Sequence, residues 1–99
     1  MTTDKFTTDV QFVLDSVRDM LVAKNTAYGD SALDPIRVFS RASEVEQLLV
    51  RIDDKLSRLS RGTMSLEDAE DVELDLLGYL VLLRIARDRA ARQREGANP

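Results

Sequence analysis

The chain reads as an all-α protein: a small bundle of three main helices in one domain, 1–99, completed by oligomerisation. Three observations carry this. Apolar residues recur at helical spacing in three long stretches separated by short breaks. Glycine, proline and aromatic residues are scarce, at 4, 2 and 5% respectively, which disfavours a sandwich or barrel. The third stretch is apolar on two sides, more surface than three short helices of one chain can cover.

The first helix is expected from about Thr8 to Ala27, with Phe6, Val10, Val13, Leu14, Val17, Met20 and Leu21 on its core side. Gly29 is placed to end it. An irregular connection over 30–35 follows, because Pro35 disfavours helix at Asp34, and then a short turn over 36–40. The second helix is expected from Ser43 to Ser60, with Val45, Leu48, Leu49, Ile52, Leu56 and Leu59 as a narrow core stripe. Arg61 to Met64 turns the chain. The third helix starts at about Leu66 behind Ser65, a good N-cap, and reaches about Arg92. Residues 1–7 and 93–99 are expected to fray.

Ninety-nine residues with 32% charged and 43% hydrophobic side chains make one globular domain. A net charge of −4 argues against sequence-independent binding to a nucleic-acid backbone. With no cysteine and no histidine, structural zinc, cysteine nucleophiles and histidine acid–base chemistry are excluded. Any metal is therefore a hard, oxygen-liganded ion such as Mg²⁺, Mn²⁺ or Ca²⁺. The first five residues are no signal peptide and no apolar run approaches ~18 residues, so no membrane partner and a cytoplasmic location are expected.

The main chemical clue is the start of the third helix. Glu67, Asp68, Glu70, Asp71, Glu73 and Asp75 fall within 67–75 with no base among them, directly before an apolar run, 76–83. At ~100° per residue, Ala69, Val72, Leu76, Leu80 and Leu83 form one apolar stripe. Leu74, Val81 and Ile85, with Gly78, form a second on roughly the opposite side. Between them lies a strip of Asp68, Asp71, Asp75, Tyr79 and Leu82. One apolar side is expected against the other helices and the other against a second copy, with the acidic strip at that seam. The helix dipole accounts for Glu67 and Asp68, but Asp71 and Asp75 lie beyond the first turn. They serve either a metal or cationic ligand, or ordinary ion pairing.

Three blocks in order, 24–31 (Lys24-Asn25-Thr26-Ala27-Tyr28-Gly29-Asp30-Ser31), 51–59 (Arg51-Ile52-Asp53-Asp54-Lys55-Leu56-Ser57-Arg58-Leu59) and Glu67/Asp71/Asp75 within 67–79, resemble the nucleotide modification associated domain family. These are small all-α proteins common in phages, similar in turn to MazG-like all-α nucleotide pyrophosphohydrolases. The resemblance covers about residues 20–83. It implies a helical homo-oligomer, dimer or tetramer, that handles nucleotides in the cytoplasm, that of a bacterial host if phage-encoded. In the pyrophosphohydrolases, carboxylates written Glu-Glu-x-x-Glu and Glu-x-x-Asp hold Mg²⁺ for cleavage of NTPs or dNTPs to monophosphate and pyrophosphate. Here Glu67, Asp71 and Asp75 keep the second element in altered spacing, and the first is absent.

On that resemblance, Asp71 and Asp75, with Glu67, are the metal candidates, with Mn²⁺ the alternative to Mg²⁺. Lys24, Asn25, Tyr28, Asp54, Lys55 and Arg58 are the candidates for nucleotide and phosphate. Lys55 and Arg58, or Arg51, would offset phosphate charge, and Tyr28 would stack on a base. Asp54 and Glu46 are the second-helix residues available to complete the metal, although Asp54 points away from the core stripe. Each has a plainer reading: Lys55 as the salt-bridge partner of Asp71 or Asp75, Tyr28 as a hydrophobic plug, Tyr79 as core. The basic end of the third helix is favoured by its dipole alone. The second functional class is a non-enzymatic oligomeric adaptor whose acids pair with Lys and Arg.

Overall fold

The computed structural model describes the backbone of residues 2–33 and 40–97 and the side chains of residues 4–33 and 40–96. Three α-helices follow one another: α1 (Thr2–Tyr28), α2 (Glu44–Arg61) and α3 (Leu66–Ala97). There is no strand among the described residues. The expected turn over 36–40 lies almost wholly outside them.

Local chemistry sets the helix ends. Gly29 adopts a left-handed φ of 63°, and its N–H donates to the Asn25 carbonyl at 2.9 Å, which closes α1. The following residue, Asp30, is also left-handed, a conformation that Asp tolerates better than most residues. Ser43 caps α2: its hydroxyl accepts from the Glu46 N–H at 3.1 Å, while Gly62 ends the helix. Ser65 caps α3 in the expected way, accepting from the Asp68 N–H at 3.2 Å. Two helices outrun their expected ends, since α1 already begins at Thr2 and α3 continues to Ala97. Neither extension meets a proline, and α3's, over 93–97, has the good helix formers Gln, Arg, Glu and Ala against one Gly.

α2 lies along α3, and α1 crosses α3, but α1 and α2 do not pack on each other. Lys55 meets Asp75, and Val45 faces Ala90, so α2 runs antiparallel to α3. Lys24 meets Asp75 while Met20 and Leu21 meet Gly78, so α1 is antiparallel to α3 as well. α3 is therefore the central helix, with one short helix on each apolar side. This corrects the expectation that only one side is met within the chain: Val72 is buried on the first side, and α1 sits over Gly78 on the second.

The buried core is small: Val17, Leu48, Ile52, Val72 and Ala86. Much of the expected core is not covered. Phe6 is 70% exposed, Val10, Val13 and Leu14 are exposed on the same stripe of α1, and Leu56 of α2 is exposed too. On α3, Leu77, Leu80 and Val81 remain open. The radius of gyration of 16.3 Å exceeds the ~13 Å of a compact domain of about this length. The helices form as their periodicity demands, but a single chain leaves their stripes partly unmatched.

Candidate functional site

Three helices converge on one carboxylate. Asp75 lies on α3 in the strip between the two apolar sides, which the fold turns into the furrow between α1 and α2. Lys24 Nζ of α1 donates to Asp75 Oδ1 at 3.2 Å, and Lys55 Nζ of α2 sits 3.2 Å from Asp75 Oδ2. Each carboxylate oxygen thus takes one lysine. Burial works against the charged form of Asp75. The hydrogen bonds and charges of Lys24 and Lys55 outweigh that penalty and hold its carboxyl below the usual range.

The bridge borders a cleft of about 200 Å³. Its walls are Met20, Leu21, Lys24, Asn25 and Tyr28 of α1, Ser31 and Ala32 beyond it, Arg51 of α2, and Asp75, Gly78, Tyr79 and Leu82 of α3. The position of α1 depends on Gly78. A Cβ built there would stand 2.6 Å from Met20 Cε and 3.1 Å from Leu21 Cδ2, so a side chain at 78 must displace the flexible end of Met20 and press on Leu21. Among the described residues of the cleft and its bridge, Lys24, Lys55 and Arg51 stand beside one acid, Asp75.

Of the residues singled out from the sequence, Lys24, Asn25, Tyr28, Lys55 and Asp75 are brought together here. The others are not. Arg58 pairs with Asp54 one turn away at 3.3 Å, both well exposed and neither lining the cleft. Asp71 and Glu67 are exposed on α3, and no group of three acids arranged to hold a metal ion occurs among the described residues. Arg51 and Tyr79, secondary candidates from the sequence, form part of the wall. Ser31, Ala32 and Gly78 had not been singled out for a site. A glycine inside an otherwise apolar helix was the available signal for Gly78; Ser31 and Ala32 carried none.

The arrangement suits an anion attached to an apolar, planar group. The two tyrosines, Leu21 and Leu82 offer apolar surface, and the cations sit at its edge. A volume of about 200 Å³ is below the ~300–1,000 Å³ of pockets that engulf a drug-sized ligand. A cleft of this size has room for a ring or a phosphate but not for a whole nucleotide, and it opens past the exposed Tyr28 ring. Comparison of the chain with protein-family models, curated proteins and solved structures yields no match.

Proposed function

We propose that the protein is a homo-oligomeric, nucleotide-handling protein, and that the cleft beside Asp75 is where the nucleotide docks. The observation that supports this most is the convergence of Lys24 and Lys55, from two different helices, on one carboxylate at the edge of a cleft with two tyrosines. A ligand phosphate takes one or both lysines from Asp75, and the base lies against Tyr28 or Tyr79. Arg51 contributes charge at the rim. Mg²⁺ or Mn²⁺ would arrive with the phosphates and be held mainly by their oxygens, with Asp75 as the protein carboxylate at the cleft, since Mg²⁺ needs only one or two protein carboxylates in such sites. Turnover to a monophosphate and pyrophosphate is the reaction to assay, by analogy with the pyrophosphohydrolases.

One observation favours a second reading, a non-enzymatic adaptor. Both oxygens of Asp75 are already satisfied by lysines, and no buried side-chain polar atom among the described residues lacks a partner. In that reading the three charges join the helices and need no ligand.

A thermal-shift screen of nucleoside mono-, di- and triphosphates, with and without Mg²⁺, separates the two, because a ligand that binds only the folded state raises Tm. The nucleotide reading expects a saturable rise that Lys24→Met and Tyr28→Ala each diminish. No rise with any nucleotide at millimolar concentration leaves the adaptor. Pyrophosphate release in the same samples decides whether binding leads to hydrolysis.

A further inference from the structure

Two apolar surfaces are left without a partner among the described residues. On α1, Phe6, Val10, Val13 and Leu14 continue the stripe whose next turns, Val17, Met20 and Leu21, rest on α3. On α3, Leu77, Leu80 and Val81 form the face that neither α1 nor α2 covers. We infer that these two surfaces are halves of one interface: the N-terminal half of α1 in one copy packs on the open α3 face of a second copy, and the reverse, in a two-fold dimer.

Area and charge both fit that occupant. From the exposed fractions, the two surfaces leave on the order of 700 Å² per protomer, near the ~800 Å² per partner of a standard stable interface. α1 over 4–19 carries four Asp against one Lys and one Arg, while the open α3 face lies between the acids of 67–75 and a C-terminal flank, 84–94, with five Arg against one Asp. An exchange that sets the acidic part of α1 over the C-terminal flank of α3 brings unlike charges together, whereas α1 against α1 brings like charges together.

The pairing specifies the oligomer of the proposed function and stands whether or not the cleft takes a nucleotide. It also bears on the cleft. Within its own chain α1 meets α3 through its C-terminal half, at Met20, Leu21 and Lys24, so burying its other half in the partner fixes the wall that carries Lys24, Asn25 and Tyr28.

The absence of native cysteine makes the test direct. Val10→Cys and Val81→Cys are made separately, mixed, and treated with a short bismaleimide. A second mixture replaces Val10→Cys by Phe12→Cys, on another side of α1. Light scattering of the unmodified protein accompanies both. The expected results are a mass of twice 11.1 kDa and cross-linked mixed dimer several-fold above the Phe12→Cys mixture. A mass of 11.1 kDa at hundred-micromolar concentration overturns the inference. So does a yield no greater than that of the Phe12→Cys mixture, or Val10→Cys linking chiefly to itself.

Discussion

The two lysines on Asp75 are not equivalent, and a double-mutant cycle measures the difference. The Lys55 side chain is 15% exposed and that of Asp75 26%, whereas Lys24 is 53% exposed. A charged hydrogen bond shielded from water contributes ~1.5–3 kcal/mol, and an exposed ion pair only ~0.2–1 kcal/mol. Asp75 keeps Lys24 when Lys55 is lost, which places Lys55→Met towards the lower end, at about 1.5–2 kcal/mol. Lys24→Met, with the partner half in solvent, should cost about 0.5 kcal/mol. Asp75→Asn strands the Lys55 ammonium in a mostly covered position and should cost about 2 kcal/mol. Urea unfolding of the three single variants and the two double variants, at one protein concentration, gives both coupling energies. The expected order is Asp75–Lys55 at about 1–2 kcal/mol and Asp75–Lys24 at about 0.5 kcal/mol or less. Equal couplings, or an Asp75→Asn variant as stable as the parent, would refute the claim that burial at α2 makes one bridge the stronger.

The same bridge predicts a pH dependence. Because the folded carboxyl of Asp75 lies below its ordinary 3.8, the bridge contributes fully above that pH and its contribution is lost as pH falls through the lower folded value. The stability gap between the parent and Asp75→Asn should therefore close in acid and stay constant between pH 5 and 8; a gap that widened on acidification would reverse the sign. Gly78→Leu should lift α1 from α3 by pushing on Met20 and Leu21, removing any nucleotide-induced Tm rise while circular dichroism stays helical. Gly78→Ala should be near neutral in urea unfolding, since ~1 kcal/mol of helix propensity offsets a contact that the flexible end of Met20 relieves. If Gly78→Leu keeps full ligand response, α1 is not part of the site.

Much of this protein is written in local sequence. Ser43 and Ser65 start α2 and α3, Gly29 and Gly62 end α1 and α2, and the spacing of Val45, Leu48 and Ile52 fixes which side of α2 turns inward. Caps and periodicity act within a few residues, so one chain read alone reveals them. The partners of the acidic strip are also legible as types: the sequence offers Lys55 as a salt-bridge partner for Asp71 or Asp75, and the structure pairs it with Asp75. Asp54 was seen to point away from the core stripe, and it pairs with Arg58 instead.

What the sequence left open, tertiary packing decided. A stripe states that a helix face is apolar but not which surface covers it, because apolar attraction has no direction. Phe6 and Val10 carry the same pattern as Val17, yet only Val17 is buried. α1 comes across α3 at Gly78, where Met20 and Leu21 rest on a position without a side chain. That crossing set Lys24 opposite Lys55, so that two residues 31 positions apart in the chain share the carboxylate of Asp75. It also left the first turns of α1 reaching past α3, with their apolar side uncovered.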